Sequence, residues 1–270
     1  MNRANWNSRV PHHVHGYDLE VFREDPAHLW HVMRFDYERL GSGAGHDVVH
    51  LQCHLGTDTL SLSRLGARRV TGLDFSAPAL EVAARLAHDC DANIEYVLSE
   101  LYGAVDALGP ERFDLVYTGL GALCWLPDIR QWAQVVAQLL RPGGRLFLRE
   151  GHPVLWSLGD PREDGLLVEQ YPNFEAPGVP FVEDHSYVAH DEPLVSPRSI
   201  SFNHGIGELV TALMDAGLTL TSLQEHRSIP WNALGNLKYD DGTGEFRLSS
   251  GSNTVPLSYT LQASKCRSAL

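Results

Sequence analysis

The sequence has no hydrophobic run that approaches the ~18 apolar residues of a membrane-spanning helix. Its opening segment, MNRANWNSRV, also lacks the apolar stretch of a secretory signal peptide. Cysteine is scarce, and the four residues Cys53, Cys90, Cys124 and Cys266 show no CxxC spacing. They suit a reducing compartment better than a disulfide framework. We therefore expect a cytoplasmic protein with no membrane partner.

Positive charge is also in short supply, with 21 Lys and Arg against 34 Asp and Glu and a formal net charge of −13. Such a surface repels phosphate backbones, so nucleic acid is not an expected partner. His12, His13 and His15 lie together but without a second ligand cluster, so no metal is expected. A small molecule is the expected partner, and the sequence leaves open whether the chain forms a homodimer.

Residues 48–74, VVHLQCHLGTDTLSLSRLGARRVTGLD, have the order of a βαβ unit. An apolar run leads to a turn at Gly56, a helix ending at Gly66 follows, and a second apolar run ends in Asp74. Such a unit brings a nucleotide-like ligand to a helix N-terminus. Asp74 follows Gly56 at close to the spacing of roughly 20 residues at which an acid holds a ribose hydroxyl.

The same alternation of strands and helices continues through the chain. It predicts a Rossmann-like, doubly wound α/β fold with a mostly parallel seven-stranded sheet, an antiparallel C-terminal edge and an inserted cap. The predicted strands are 48–53, 70–74, 94–98, 113–118, 145–150, 218–225 and 257–263. The predicted helices are 26–40, 57–65, 79–88, 104–108, one from Pro127-Asp128 to Leu140, and 207–216.

We expect one domain, 1–270, in four parts. These are an N-terminal lid and helix (1–45), a ligand-binding core (46–150), a cap insertion (151–200) and the C-terminal part of the sheet (201–270). Within the cap we expect a small hairpin around 171–187 and a strand at 199–203, and after the strand at 218–225 a polar loop through Gly251.

Polar or aromatic residues follow five of the predicted strands directly, and in an open α/β sheet these carboxyl ends meet at one edge. The five segments are 52–59, 74–76, 99–102, 118–125 and 150–152. Asp58 and Thr59 open a helix, where they suit either N-capping or ligand contact, and Ser76 suits an N-cap. We expect these segments to form the binding site.

The order of sequence blocks in residues 48–150 resembles that of class I S-adenosylmethionine (SAM)-dependent methyltransferases. The blocks are VVHLQCHLGTDTLSLSRLGA, VTGLDFSAPALEVA, FDLVYTGLGALCWLPD and LLRPGGRLFLRE. A subgroup of actinobacterial-type small-molecule methyltransferases is similar over nearly the whole chain, including RVPHHV, GHPVLW and FNHGIGELV. The resemblance implies SAM as the cofactor and methyl transfer to N, O or S of a small molecule, such as a metabolite or natural-product intermediate.

The resemblance also implies roles for individual residues. Gln52, Cys53, His54 and Gly56 would wrap the methionine part, and Asp74 would hold the ribose. Phe75 and Leu101 would flank the adenine, Glu100 would take its amino group, and Thr118 or Gly119 would touch the sulfonium side. One departure stands out: His50, Gln52 and His54 occupy the positions of the family's strand acid and first two loop glycines.

Methyl transfer from SAM needs positioning and desolvation, and an acceptor N–H or O–H can also need a base. His152 and His204 are the first candidates for that base, with Glu150 and Tyr17 behind them. For the substrate we predict contacts from His13, Tyr17, Trp30, Trp125, Trp156 and His204. Each histidine also suits a structural role, and Trp125 equally suits the core.

Two other functions remain open on the sequence. A nicotinamide-dependent oxidoreductase uses a similar sheet, but HLGTDT lacks its GxGxxG motif. A SAM-binding protein without catalytic activity, acting as a scaffold, would fit the missing loop glycines. The sequence does not identify the acceptor atom.

Overall fold

Strands and helices alternate as expected in the computed structural model, which describes residues 1–249 and 255–267. The helices are α1 (Asn2–Gly16), α2 (Glu20–Glu24), α3 (His31–Leu40), α4 (Thr57–Arg64), α5 (Ala77–Asp89), α6 (Ala104–Leu108), α7 (Ile129–Leu139), α8 (Pro153–Ser157) and α9 (Ile206–Asp215). The strands are β1 (Asp47–Leu51), β2 (Arg69–Asp74), β3 (Ile94–Leu98), β4 (Phe113–Thr118), β5 (Leu140–Gly151), β6 (Val179–Val182), β7 (Arg198–Ser201), β8 (Leu218–His226), β9 (Ser228–Ile229), β10 (Lys238–Asp240), β11 (Glu245–Arg247) and β12 (Ser258–Lys265).

The main sheet confirms the predicted fold class. Within the described residues it has seven strands in the order β3-β2-β1-β4-β5-β12-β8. Strands β1 to β5 pair in parallel, whereas β12 pairs antiparallel with both β5 and β8. The strand order reverses between β1 and β4, and this reversal opens a crevice at the carboxyl ends of the strands.

Helices cover both faces of the sheet, which explains the continuous apolar runs of its strands. One face packs against α7 and α9 through buried Trp132, Val136 and Leu209. The other face packs against α3 and α4 through Met33 and Leu62. A parallel strand buried on both sides can be recognised from sequence alone, so most core strands begin and end within two residues of their predicted bounds.

Local capping follows the sequence as predicted. The Ser76 Oγ accepts a hydrogen bond of 3.3 Å from the Ala79 N–H at the start of α5. The Asp128 Oδ1 accepts one of 2.9 Å from the Gln131 N–H at the start of α7. Gly66, with φ of +89°, lies just beyond the end of α4 and lets the chain turn into β2.

The N-terminal segment differs from its prediction. Residues 1–26 show no apolar period, yet they contain α1 and α2, and the helix predicted from residue 26 begins at His31. The buried face of α1 is largely polar, with Asn5, Arg9 and His13 spaced four residues apart. Hydrophobic periodicity cannot detect a helix whose inner face is made of polar side chains.

The cap insertion contains one antiparallel pair, β6 with β7. β6 lies inside the predicted hairpin range of 171–187, and β7 overlaps the strand predicted at 199–203. The polar loop predicted after β8 was wrong over its described part, because β9, β10 and β11 form a small sheet there. Its buried leucines, Leu234, Leu237 and Leu248, pack with Leu155. Gly251, the predicted end of that loop, lies outside the described residues. Within the described ranges, no helix is long and apolar enough to cross a membrane.

Candidate functional site

A cavity of about 1050 Å³ lies at the carboxyl ends of β1, β2 and β4. Its floor comes from the segments that follow these strands, which include residues 52–55, Asp74-Phe75 and 119–122. Its other walls come from α1, the second half of α8 with the residues that follow it, residues 183–189 of the cap and residues 230–234. The structure therefore brings three of the five predicted segments together around one space.

The loop between β1 and α4 has an unusual backbone. Gln52 (φ +57°), His54 (φ +47°) and Gly56 (φ +76°) all lie in the left-handed region. Non-glycine residues there carry a steric cost of about 1–2 kcal/mol each. The Gln52 Nε2 donates to the Ala122 carbonyl over 3.0 Å, which ties this loop to the segment after β4. Gln52 and His54 thus keep a left-handed backbone at the two positions where the resemblance implies glycine, and both residues line the cavity.

Asp74 is fixed at the cavity wall by its neighbours. Its Oδ2 accepts from the His54 N–H over 2.9 Å, and its Oδ1 accepts from the Ser76 N–H over 2.8 Å. Burial raises the pKa of Asp74, while these backbone N–H groups act in the opposite direction. Because a carboxylate oxygen accepts more than one hydrogen bond, each oxygen can still receive a ligand hydroxyl. Phe75 lines the cavity beside it.

Asp58, in the first turn of α4, also lines the cavity and does not act as the helix cap, since Gly56 holds that position. Its Oδ1 is buried and has no hydrogen-bond partner among the described residues. Burial, with a smaller contribution from Asp36, raises the pKa of Asp58 to about 7. A buried carboxylate without a partner is costly, and a cationic ligand group would offset that cost.

His50 and Gly119 complete this corner of the cavity. A Cβ built on Gly119 would lie 3.2 Å from the Asp58 Oδ2 and 3.2 Å from the His50 Nε2. The His50 Nδ1 is hydrogen-bonded to the Thr59 Oγ1 over 2.9 Å, and burial lowers the pKa of His50 to about 3. His50 is therefore neutral, and Asp58 is the acidic side chain beside it in this corner of the cavity.

Several predicted cofactor residues do not line the cavity. The glycine at Gly56 is required by packing as well as by φ, because a Cβ there would meet the Tyr96 hydroxyl at 2.6 Å and the Ala83 Cβ at 2.9 Å. The Glu100 side chain is exposed and pairs with Arg3 of α1. Others are held within the protein by caps, hydrogen bonds or core packing, namely Thr59, Ser76, Leu101 and Thr118.

Glu150 organises the loop after β4 rather than facing the cavity. Its Oε1 accepts from the Gly121 and Gly151 N–H groups, both over 2.7 Å. Its Oε2 accepts from the Ala122 N–H over 2.9 Å and the Leu123 N–H over 2.7 Å. Burial raises the pKa of Glu150 to about 7. With four backbone donors on its carboxylate and no place in the cavity lining, Glu150 positions the loop and is not placed to act as a base.

His152 and His204 are also turned away from the cavity. The His152 Nε2 donates to the Glu225 carboxylate over 2.9 Å, and its Nδ1 accepts from the Val154 N–H over 3.1 Å. The His204 Nε2 donates to the Leu126 carbonyl over 2.8 Å. Burial lowers the pKa of both histidines. Neither lines the cavity, so the structure gives them structural contacts in place of the predicted catalytic or substrate contacts.

The predicted aromatic walls are largely present. Tyr17, Trp30, Trp125 and Trp156 line the cavity, and the Tyr17 hydroxyl is hydrogen-bonded to that of Tyr187. His13 is buried behind the wall: its Nδ1 is 2.8 Å from the His54 Nε2, and its Nε2 is 2.7 Å from the Ser186 Oγ.

The lining residues that sequence reasoning missed include Trp6, Arg9, Tyr187 and Trp231. Trp6 and Arg9 lie on α1, where the four-residue spacing of Asn5, Arg9 and His13 was the available signal. The other two lie in segments with no motif, and only the folded structure brings them to the cavity.

Comparisons with known proteins agree with this geometry. Residues 48–144 match the family described as "Methyltransferase domain". A "Ubiquinone biosynthesis O-methyltransferase" of Serratia proteamaculans is 32% identical over 124 residues, which is 45% of this chain and 50% of the relative. Its namesake in Cronobacter sakazakii is 36% identical over 126 residues, with the same shares covered. The chain thus spans about half the length of the curated relatives it matches.

Solved structures show the same fold. An S-adenosylmethionine-dependent methyltransferase from Mesorhizobium loti superposes with a TM-score of 0.60 at 21% identity, over 86% of this chain and 98% of that one. A putative S-adenosylmethionine-dependent methyltransferase from Listeria monocytogenes gives 0.62 at 16% identity, over 87% and 97%. Residues 48–144 thus match a methyltransferase domain, and the chain shares its fold, strand order and the crevice beside β1 with S-adenosylmethionine-dependent methyltransferases.

Proposed function

We propose that this protein binds SAM and transfers its methyl group to an N, O or S atom of a small molecule. The observation that carries the proposal is the shared cavity: the segments after β1, β2 and β4, each expected to bind cofactor, line one space. Ligand pockets typically measure roughly 300–1,000 Å³. At about 1050 Å³, this cavity has room for a cofactor and a second small molecule.

Two features of this chain fit SAM in particular. The unpartnered Oδ1 of Asp58 suits the ammonium of the methionine part. The missing Cβ of Gly119, beside Asp58 and His50, leaves space at the sulfonium side of the same corner. Gln52, Cys53 and His54 would enclose the methionine part. Its ammonium group would pair with Asp58 on α4, whereas the resemblance implies an acid on β1 for that role.

The nucleoside part would lie beside Asp74 and Phe75. Each Asp74 oxygen is oriented by one backbone N–H and has a lone pair for a ribose hydroxyl. Phe75 offers a ring face for the adenine. Glu100 would reach the adenine amino group only if its pair with Arg3 opened.

Bound SAM supplies an activated methyl group on a sulfonium, so the protein mainly has to align the acceptor and exclude water. The aromatic walls and α1 perform the exclusion. Burial raises the pKa of Tyr17 well above its usual value, so its hydroxyl stays protonated at neutral pH. That hydroxyl can donate a hydrogen bond to the methyl-accepting substrate or accept one from it, and so orient the substrate. Of the four predicted catalytic residues, Tyr17 is the one we retain for contact with the substrate.

A cavity with aromatic walls from α1, the cap and residues 230–234 suits a small-molecule acceptor better than an extended polymer. The matched curated relatives are named as O-methyltransferases, which supports oxygen as the acceptor atom. All four cysteines are free thiols, which supports the expected cytoplasmic location.

Isothermal titration tests the cofactor assignment. We expect the unaltered protein to bind SAM and its demethylated product, S-adenosylhomocysteine, and not to bind NAD. Asp74→Ala should weaken binding at least about tenfold, since it removes the ribose acceptor from a buried site. Failure of the unaltered protein to bind either SAM or S-adenosylhomocysteine would refute the proposed function. Binding without turnover of labelled SAM across a panel of acceptors would contradict the transfer step.

A further inference from the structure

Arg9 places a buried positive charge beside the cavity. Only 4% of the residue is exposed, and it contributes to the cavity lining. Its Nε donates to the Asn5 Oδ1 over 2.8 Å, and its Nη1 donates to the Ser186 Oγ over 3.1 Å. Both partners are neutral, so they satisfy hydrogen bonds without neutralising the charge.

An anion that pairs well with Arg9 is missing from the described residues around it. The one acid within 4 Å is Glu183, whose Oε2 lies 3.8 Å from the Arg9 Nη2. The Glu183 side chain is 56% exposed, so water screens its charge. A buried guanidinium stays protonated, and its burial is costly unless an anion and further hydrogen bonds compensate it. The Nη2 edge of Arg9 is thus the natural place for an anionic group of a ligand.

The surroundings of Arg9 indicate the shape of that ligand. The Arg9 Cζ lies 5.5 Å from the centre of the Trp6 ring, and Trp6 meets Trp125 edge-on at 5.4 Å. On the cap side, Tyr187 and Trp231 lie 5.6 Å apart. All four aromatic residues line the cavity, and such walls favour a flat, apolar ring system.

Five acids contribute to the cavity lining. Asp74 and the Oδ1 of Asp58 are buried, whereas Asp160, Glu183 and Asp184 are exposed. Solvent screens the charges of the exposed acids and so weakens their repulsion of an incoming anion. Arg9 is anchored to the cap through the Ser186 Oγ.

Building on the proposed function, we propose that the methyl acceptor is a planar aromatic compound carrying a carboxylate, and that Arg9 binds this carboxylate. The planar fork of a guanidinium matches a carboxylate and can donate two parallel hydrogen bonds to it. The ring of the acceptor lies between the aromatic walls. In this arrangement Arg9 is a specificity-determining residue, because a neutral analogue leaves the buried charge uncompensated.

Matched pairs of aromatic acids and amides test the proposal. The probes are 4-hydroxybenzoate with 4-hydroxybenzamide, and 2-naphthoate with 2-naphthamide, titrated into protein saturated with S-adenosylhomocysteine. We expect the acids to bind at least about tenfold more tightly than the amides, because a charge-assisted pair forms in a desolvated site. Arg9→Gln should abolish that preference. Arg162→Gln, a surface arginine paired with Asp164, is the matched control and should retain it.

Glu183→Gln gives an independent test that does not depend on how Arg9→Gln folds. If Arg9 binds the carboxylate, removing the competing acid should tighten binding of both aromatic acids and leave the amides unchanged. Equal binding of acids and amides by the unaltered protein would overturn the proposal, and so would an acid preference that survives Arg9→Gln. Weaker binding of the aromatic acids by Glu183→Gln than by the unaltered protein would also overturn it.

A second source of the carboxylate is the cofactor itself, and two further titrations separate the sources. S-adenosylhomocysteine carries a carboxylate, whereas methylthioadenosine lacks the amino-acid part. If Arg9→Gln weakens S-adenosylhomocysteine and leaves methylthioadenosine unchanged, Arg9 serves the cofactor and the acceptor assignment is wrong. If Arg9→Gln changes the affinity for neither S-adenosylhomocysteine nor methylthioadenosine but loses the preference for aromatic acids, the assignment of Arg9 to the acceptor carboxylate is supported. Failure of the proposed function would be seen separately, as absence of S-adenosylhomocysteine binding by the unaltered protein.

Discussion

At the scale of single residues, Asp58 carries the most consequential chemistry in the site. The resemblance to class I methyltransferases implies an acid on β1, where this chain has His50, which is buried and neutral. Asp58 lies in the same corner of the cavity, near the place where a Gly119 side chain would be. Under the proposed function, Asp58 takes the place of that acid from the first turn of α4, where the helix N-terminus also favours negative charge.

The pKa of Asp58 predicts how cofactor binding depends on pH. Burial raises that pKa to about 7, so Asp58 is mostly neutral at pH 6 and mostly ionised at pH 8. Only the ionised form attracts the ligand ammonium, so affinity for S-adenosylhomocysteine should rise across this range. Asp58→Asn should lower the affinity at pH 8 about tenfold or more and flatten its pH dependence, since a one-unit pKa difference corresponds to about 1.4 kcal/mol. Titrations at several pH values measure both effects.

The same substitution should stabilise the protein without ligand. A carboxyl group whose pKa is higher in the folded state stabilises the fold fully at low pH, and that stability is lost as pH rises from about 4 to about 7. At pH 8, Asp58→Asn removes an unpaired buried charge and should raise the melting temperature. Asp106→Asn, an exposed change on α6, is the matched control. If Asp58→Asn bound S-adenosylhomocysteine with the same affinity and the same pH profile as the unaltered protein, the assignment of Asp58 to the ligand ammonium would be contradicted.

At the scale of elements, the loop of residues 119–125 depends on Glu150 at the end of β5. Four backbone N–H groups converge on one carboxylate, a geometry that an amide cannot satisfy because its NH₂ group donates rather than accepts. This loop supplies Gly119 and Trp125 to the cavity. A buried residue on a strand thereby holds the backbone of a cavity wall from behind, without lining the cavity itself.

Glu150→Gln should loosen this loop while leaving the sheet folded. We expect faster amide hydrogen exchange at Gly121, Ala122 and Leu123, weaker binding of S-adenosylhomocysteine, and a loss of stability of about 2–4 kcal/mol, since charged hydrogen bonds contribute about 1.5–3 kcal/mol each. Glu81→Gln, an exposed change on α5, is the control. If Glu150 were the catalytic base, turnover would fall while exchange in the loop stayed the same, and that result would contradict the positioning role.

The elements also show what the sequence can and cannot predict. Strands such as β3 and β4 were located to the residue because apolar runs bounded by turns define them. α1 was missed because its inner face is polar, and β9 to β11 were missed because each is only two or three residues long. Contacts over long separations in sequence decide side-chain direction, so neither the bond from His152 to Glu225 nor that from His204 to Leu126 could be foreseen.

At the scale of the whole molecule, α1 joins the cap to the loop between β1 and α4 (residues 52–56). The Asn2 side chain exchanges two hydrogen bonds with the Ile200 backbone in β7, over 2.9 and 2.8 Å. At the other end of α1, His13 lies between Ser186 of the cap and His54 of the loop. Burial lowers the pKa of His13 to about 2, so this chain of neutral groups persists over the physiological pH range.

This connection predicts that cofactor binding orders three distant segments together. Measured by hydrogen exchange, S-adenosylhomocysteine should protect residues 2–16 and 183–190 as well as 52–59, because binding to the loop stabilises the contacts that α1 and the cap make with it. At a ligand concentration of 100 times the Kd, the gain in stability should be about 2.7 kcal/mol. Protection limited to 52–59 would show that α1 and the cap respond independently of the cofactor.

Asn2→Ala tests whether α1 transmits the ordering from the loop to the cap, because it removes both side-chain hydrogen bonds between α1 and β7. Exchange in residues 2–16 should then be faster without ligand, and the protection of 183–190 by S-adenosylhomocysteine should become smaller. Ser8→Ala is the matched control on α1, since its hydroxyl bonds only to the Asn5 carbonyl within the helix. If Asn2→Ala left the protection of 183–190 at its full size, the cap would be ordered by its own contacts with the ligand and α1 would not transmit the effect.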